Sequence, residues 1–490
     1  YASLRNTTGS ENSALGHDAN YNNVTGGQNV AVGAESMYGV YGNSHSYNTA
    51  VGYKAGFDIT TGTYNTFIGH SAGYNIENGT SNFAGGYDAL FSNTDGNYNV
   101  AVGSSALRSG SGADNNTGIG YQAGYTISTG SNNFFGGYQA GYSNNSGSNN
   151  FFGGYQAGYA VTTGQQLTAI GSQALKSATT TTTGVAVGYG AGQATTTGYQ
   201  NVFVGNKPGF NNTTGNSNTA IGYQALLDNT TAANNIAVGA GSLAQNVTGG
   251  NNVAIGNESL FGSAGQSHSD NTAIGYQAGY SITTGGSNFF GGYWAGRANS
   301  TGTLNVAVGR DALRTNTTGQ GNTAIGHQAF EIANNIYNGV AIGRDAGIST
   351  TTGSYNTFAG AQSGRMNTTG QYNFAGGLDA LYNNQTGSNN VALGADALKG
   401  ASNQSHSNNT AVGYRSGYAV TTGNNLTALG HSALKSATTI SSAVAIGQGA
   451  GQNTTTGSQN VFVGNQPSYN NTTGSSNTSI GYIAMYNNQT

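Results

Sequence analysis

The feature that most constrains this chain is a glycine that returns every seventeen residues. Counted on the glycine closing each Asn-x-Ala-Ile/Val-Gly run, these glycines begin at 16, 33, 52 and 69 and continue to 481. There are twenty-eight, spaced by seventeen except for three intervals of nineteen: Gly33 to Gly52, Gly256 to Gly275 and Gly394 to Gly413. Asn271-Thr-Ala-Ile-Gly-Tyr-Gln-Ala-Gly-Tyr-Ser-Ile-Thr-Thr-Gly-Gly-Ser287 is one full unit. A period held over a whole chain specifies a repeat architecture, in which each unit is stabilised by stacking on its neighbours. The expectation is an all-β parallel solenoid of about 28 seventeen-residue coils, one uninterrupted array over residues 1–490.

Slots are numbered here from the reference glycine. The residues just before it give a short strand signal, as in Asn218-Thr-Ala-Ile221, Asn201-Val-Phe-Val204 and Asn252-Val-Ala-Ile255. Side chains alternate across a strand, so Val253 and Ile255 share one face and Ala254 takes the other. That second face carries Ala or Phe in most copies, as in Phe67, Phe134, Phe203 and Phe462. A strand apolar on both faces must be buried on both. One coil cannot cover both, so the Ala/Phe face is expected to meet other chains, most simply around a three-fold axis. A lone solenoid with an internal double layer is the alternative. After the glycine comes a turn whose slot +3 accepts only Ala, Ser or Pro, and both prolines of the chain, Pro208 and Pro467, sit there. Small side chains imply close backbone approach, and proline implies an N–H that pairs with nothing. With Gly222 and Gly275 these residues read as structural turn positions.

A second strand signal follows at Tyr280-Ser-Ile-Thr-Thr284 and Tyr159-Ala-Val-Thr-Thr163, where Tyr280 and Ile282 should share a face and Ser281 and Thr283 the other. Two strands and two turns per coil, stacked at about 4.8 Å, predict a flattened roll; twenty-eight coils would extend roughly 130 Å.

Charged residues are 6% of the chain and the net charge is −3, which removes the electrostatic basis for nucleic acid or an anionic membrane as partner. With no cysteine, disulfides and thiolate metal sites are excluded. No apolar run approaches the roughly 18 residues of a membrane span. Glycine at 83 residues beside 2 prolines does not fit collagen. The chain starts and stops inside a repeat and shows no polar cap, so it is expected to be a segment of a longer polypeptide.

The Asn-x-Val-Ala-Ile-Gly run followed by a turn and Ala resembles the head repeats of YadA-like trimeric autotransporter adhesins. Units such as Asn218-Thr-Ala-Ile-Gly-Tyr-Gln-Ala-Leu226 and Tyr382-Asn-Asn-Gln-Thr-Gly387 resemble still more the repeats of tail-fibre-type proteins that end in a self-cleaving chaperone domain. The resemblance covers the whole chain. It implies a left-handed parallel β-roll, trimeric, exposed at a cell or virion surface and used for adhesion or as a fibre shaft. This unit is longer than that of the YadA-type head, and the shared motif builds the roll without marking a ligand site.

Few residues invite a chemical role. The three longer coils carry His45, His268 and His406, each between serines. In a trimer each would set three imidazoles at one level and so offer a metal site; the simpler expectation is a surface loop. His17, His70, His327 and His431 at slot +1 replace the usual tyrosine. Asn-x-Thr/Ser triplets recur at slot −10: Asn6, Asn23, Asn144, Asn212, Asn229, Asn246, Asn299, Asn316, Asn367, Asn384, Asn471 and Asn488. They read either as glycosylation acceptors or as an asparagine ladder between coils. The Thr-Thr pairs occupy adjacent slots, which point to opposite faces and argue against an ice-binding array. Carboxylates such as Asp18, Glu35, Asp88, Asp311, Asp345 and Asp396 are scattered and form no recurring acid–base pair. No catalytic residue, cofactor or firm metal site is therefore expected.

The function expected is a structural and adhesive surface fibre, extracellular, on a cell or virion. The alternatives are the subunit of a self-assembling extracellular filament and the shaft of a viral tail fibre. The expected partners are copies of the chain itself, as trimer or filament, and glycans or host or abiotic surfaces.

Overall fold

The computed structural model describes residues 8–402 and 404–488. The chain divides into two compact units, Tyr1–Thr248 and Gly249–Thr490, and each is a parallel β-solenoid. Among the described residues there is no helix. Each coil contributes one strand: β1 (Ser13–Leu15) through β14 (Ile236–Val238) in the first unit, β15 (Val253–Ile255) through β28 (Thr478–Ile480) in the second. Strands are three residues long except β10 (Gln165–Ile170) and β11 (Thr182–Val187), which run to six. Neighbours within a unit pair in parallel at the repeat spacing, as Thr219 with Ile236 and Thr410 with Thr427. Where a coil is longer the register holds across nineteen residues, Val30 with Thr49 and Val253 with Thr272. The added residues therefore lie outside the strand.

In the three-residue strands only the middle residue points into its coil, and Phe134, expected on the Ala/Phe face, is the first residue of its strand and lies on the outward one. Ala220, Ala254, Phe67, Phe203 and Phe462 are fully buried, whereas Ile221 and Ile255 are about two-fifths exposed. The sequence expectation is thus inverted: the Ala/Phe face is the inside of the chain's own coil, and the Val/Ile pair is the face left uncovered. A coil of seventeen residues is too tight for bulk on every inward slot, and the inward residues match one another in size. Where slot −2 is Phe, slot +4 is Gly in the coil before and, except for Ser468 beside Phe462, in that coil too, as Phe67 with Gly56 and Gly73. An added Cβ would stand 2.5 Å from the Phe67 ring at Gly73 and 2.9 Å at Gly56. Where slot −2 is Ala, slot +4 often carries a buried leucine, as Ala220 with Leu226 and Ala254 with Leu260. Volume is conserved inside the coil, as close packing requires.

The second strand does not form. Residues 280–284 are turn and bend, with Ile282 buried and Tyr280 part-exposed, so they do not share a face. Its place is taken by a run in which slots +2 and +4 adopt positive φ, for example Gln224 at 53° and Leu226 at 55°. Their peptide groups are nonetheless satisfied between coils. Gln224 N donates to Asn206 O at 2.9 Å in the coil before, and Leu226 N to Ser242 O at 2.9 Å in the coil after. Because turns can carry the inter-coil ladder, no second strand is needed to pair the backbone.

The turn positions have separate physical reasons. Gly222 and Gly275 lie at φ 135° and 137°, and a Cβ there would sit 2.6 and 2.5 Å from the carbonyl oxygens of Gly239 and Gly292 in the next coil. At slot +3 the N–H is not unpaired, as the prolines suggested; it makes a long turn bond, such as Ala55 N to Gly52 O at 3.4 Å. Pro208 and Pro467 forgo only that weak bond, while their carbonyls still accept from Gly192 N and Gly451 N at 3.0 Å.

Polar ladders run inside the coils. At slot −4, Asn65 Oδ1 accepts Asn82 N at 2.9 Å, and Asn65 Nδ2 donates to Gly79 O at 2.8 Å. One buried amide thus bonds the following coil with both its oxygen and its nitrogen. At slot +8 hydroxyls donate to the next backbone carbonyl in succession, Thr162 to Thr179, Thr179 to Thr196 and Thr196 to Thr213, each at 3.1 Å. This is the use of the first threonine in those Thr-Thr pairs.

Candidate functional site

The outward face of the strands is the most prominent surface feature of each unit. Slots −3 and −1 present mainly Thr, Val, Ile or Phe, and their aliphatics are part-exposed to exposed, Val253 and Val306 being half-buried while Val100 and Ile68 reach 36% and 46%. Where slot −3 is Phe, slot −1 is Gly and the ring lies across it: a Cβ would approach the ring of Phe83 at Gly85 and that of Phe289 at Gly291 to 3.3 Å. Bulk beside nothing replaces two medium side chains, which keeps the face level. Aromatic columns border it. Slot −5 supplies the stacked pairs Tyr47–Tyr64 and Tyr355–Tyr372, with ring centroids 4.8 and 5.0 Å apart. Slot +1 supplies Tyr121–Tyr138–Tyr155 at 5.3 Å and Tyr276–Tyr293 at 5.2 Å. Fourteen strands at about 4.8 Å make the face about 60 Å long in each unit and, at roughly 10 Å across for three-residue strands, on the order of 600 Å². That is the upper end of the roughly 300–600 Å² that a monomer's largest apolar patch ordinarily spans.

A shallow groove of about 510 Å³ lies on this face in the first unit, between Asn115, Asn132 and Asn149 on one side and Thr117, Phe134 and Phe151 on the other. A further column stands at slot +5: Tyr21, Tyr38, Phe57, Tyr74 and Phe91 stack at 4.8–5.6 Å. Arg108 continues it, its guanidinium 4.7 Å from the Phe91 ring and 5.8 Å from that of Tyr125. Where rings stack on one another, as in the runs Tyr121–Tyr138–Tyr155 and Tyr21 to Phe91, their inner faces are spent. What they present outward is edges and phenol hydroxyls.

His45, His268 and His406 do not lie on a surface loop. All three are buried, and desolvation lowers each from the ordinary imidazole value to about 4. The residues that lengthen the coils bulge outward at 40–42, 264–266 and 401–402, and the histidine that follows takes slot −7, held by glycine in twenty coils. Its ring points into the coil. Asn409 Nδ2 donates to His406 Nδ1 at 3.2 Å, while neither ring nitrogen of His45 has a partner. Enclosed in their own coils, these imidazoles cannot meet those of another chain around an axis, and the three-histidine metal arrangement is geometrically excluded. Among the described residues no group of three or more His, Asp or Glu is placed to hold a metal.

The slot −10 asparagines also face inward. Asn23, Asn144, Asn212, Asn229, Asn246, Asn299, Asn316, Asn367, Asn384 and Asn471 are buried, Asn488 is part-exposed, and Asn6 lies outside the described residues. Asn316 Nδ2 donates to Asn299 Oδ1 at 3.0 Å, and Asn316 Oδ1 accepts Gly319 N at 3.1 Å. A buried amide bonded in this way offers no nitrogen to a glycosyl donor in the folded chain. His70 and His431, by contrast, join the slot +1 columns beside Tyr53, Tyr87 and Tyr414, and His17 and His327 lie at the surface.

The carboxylates of slot +2 are matched to cations on neighbouring slots. Lys399 Nζ stands 2.8 Å from both Asp379 and Asp396 and Arg415 Nε 3.2 Å from Asp396, while at slot +5 Arg314 stands 2.7 Å from Glu331 of the next coil. Burial raises the Asp396 carboxyl, but hydrogen bonds from Lys399 and Arg415 outweigh it and hold the group below its ordinary value. No family model matches this chain, and a search of curated proteins finds no match either. Among the described residues no helix is long and apolar enough to cross a membrane.

Proposed function

We propose that this chain is a non-catalytic structural and adhesive module of an extracellular fibre, borne on a cell or virion, which associates with further copies of itself in threes. The observation that carries this reading is the level aliphatic face of the strands, on which side chains such as Val100 and Ile68 are left 36% and 46% exposed in the single chain. Packing it against the same face of two other copies removes about the apolar area that a standard interface of roughly 800 Å² per partner needs. A chain with 6% charged residues sets little electrostatic repulsion against that association. Adhesion falls to the columns outside the seam. Tyrosine edges, phenol hydroxyls and asparagine amides hydrogen-bond to hydroxyl-rich surfaces such as glycans, whereas stacked rings leave no face on which a sugar can lie. The carboxylates bound in ion pairs support the non-catalytic part, since a general acid or base needs an uncommitted group within reach of substrate.

The test is the native mass by light scattering with electron micrographs of the same sample. A mass of three chains is expected, falling to one chain when Ile221, Ile255 and Ile274 are each changed to Lys, with the circular dichroism spectrum unchanged. A one-chain mass for the unaltered protein contradicts the trimer. A broad, growing mass with long threads instead makes the chain a filament subunit.

A further inference from the structure

The tyrosine columns hold pairs of phenols in a geometry suited to one chemical step. Nine Tyr–Tyr pairs stack between adjacent coils, with centroids 4.8–5.6 Å apart and rings within 19° of parallel. Those at slots −5 and +1 are the accessible ones: Tyr47 and Tyr64 are 49% and 61% exposed, and Tyr121, Tyr138 and Tyr155 are also exposed. In each pair the two residues are seventeen apart and fixed side by side by the coil ladder, so the phenol edges reach solvent together.

We propose that these columns are sites of oxidative cross-linking, at which an oxidant of the haem-peroxidase class, fed with hydrogen peroxide, joins neighbouring coils through dityrosine. The oxidant removes one electron and one proton from each of two phenols. The two phenoxyl radicals combine through their ortho carbons, forming one C–C bond, and the ortho hydrogens shift to oxygen as both rings regain aromaticity. Two phenols and one hydrogen peroxide give one dityrosine and two waters. A radical on Tyr64 has Tyr47 beside it at an effective concentration far above that of any phenol on another molecule at micromolar protein, so coupling within the chain dominates. Columns broken by Phe57, Phe91 or Arg108 cannot couple across those points, because none of these side chains forms a phenoxyl radical. The bond would rivet adjacent coils, whatever larger assembly the chain belongs to, and the inference does not depend on the fibre reading.

The experiment treats the full chain at micromolar concentration with a haem peroxidase and hydrogen peroxide, then maps cross-linked peptides by mass spectrometry and follows dityrosine fluorescence. The expected products are Tyr47–Tyr64, Tyr355–Tyr372 and links within Tyr121–Tyr138–Tyr155, each two hydrogens lighter than its parent peptides. Tyr64→Phe should abolish the first link and leave Tyr355–Tyr372 intact; phenylalanine already sits among stacked tyrosines at Phe57, so the fold tolerates the change. Tyr98 and Tyr223 serve as controls, being 63% and 56% exposed with Ser81 and Asn115, or Asn206 and Ala240, in the neighbouring coils at their slots. The proposal is overturned if Tyr98 and Tyr223 cross-link as often as the stacked pairs, if the links are chiefly between molecules, or if none forms.

Discussion

At Gly275 two constraints coincide, a φ of 137° and a next-coil carbonyl that would stand 2.5 Å from any Cβ. Either is costly for alanine; together they should remove about 3 kcal/mol or more. Gly275→Ala is expected to lower the thermal midpoint clearly, whereas Gly265→Ala, at φ 74° with nothing within 4 Å, keeps only the conformational part, about 1 kcal/mol. Scanning calorimetry of the two variants separates the terms. The buried histidines give the second residue-scale prediction. Their folded value, about 4, lies below the unfolded value near 6.5. The unfolded chain therefore binds more protons between those limits. The stabilisation is fully present above pH 6.5, is lost as pH falls towards 4 and is level below that. Each imidazole contributes roughly 3 kcal/mol over the window, and His45→Phe should flatten part of the pH dependence of unfolding measured by denaturant titration.

At the scale of the coil, packing is a trade between slots −2 and +4. Phe203→Ala should open a cavity costing about 3–5 kcal/mol. Adding Gly209→Leu should recover a substantial part, because slot +4 already carries leucine at the same backbone angle, φ 54° at Gly209 and 55° at Leu226. Denaturation midpoints of the single and double variants check this; an additive loss would contradict it. The reciprocity is written in the sequence, in Phe67 beside Gly56 and Gly73 and in Ala220 beside Leu226, yet alternation hides it. Slot +4 lies in a turn with positive φ, where no strand or helix period places a leucine. The same turn explains the absent second strand: Tyr280 and Ile282 sit two apart, but left-handed residues at Gln277 and Gly279 curl the chain before them, so the spacing of a flat strand no longer applies. What was legible was local chemistry, namely the glycine anchor and the small slot +3, whereas the unpaired N–H inferred there from the two prolines was not, because the turn bond is long.

Across the molecule, the period made the solenoid legible at once, while the inside of the coil was not. Both faces of the strand are apolar, and periodicity separates two faces without saying which is enclosed. Size decides it: Ala254 fits within a tight coil beside the buried Leu260, and Val253 with Ile255 does not. The buried asparagines were hidden for a related reason, since Asn316 at a turn slot reads equally as a solvated acceptor or as one rung of a ladder. The histidines were misplaced because the bulge precedes His45 instead of containing it. Which face is enclosed decides the fold, and a chain without cysteine permits a direct measurement by thiol labelling of single variants under native conditions. The Ala220→Cys thiol should be protected until the chain is unfolded, the Tyr223→Cys thiol should react freely, and the Ile221→Cys thiol should react in single chains and be shielded in the assembled fraction. Labelling of Ala220→Cys as fast as Tyr223→Cys in the native protein would contradict the fold's central assignment.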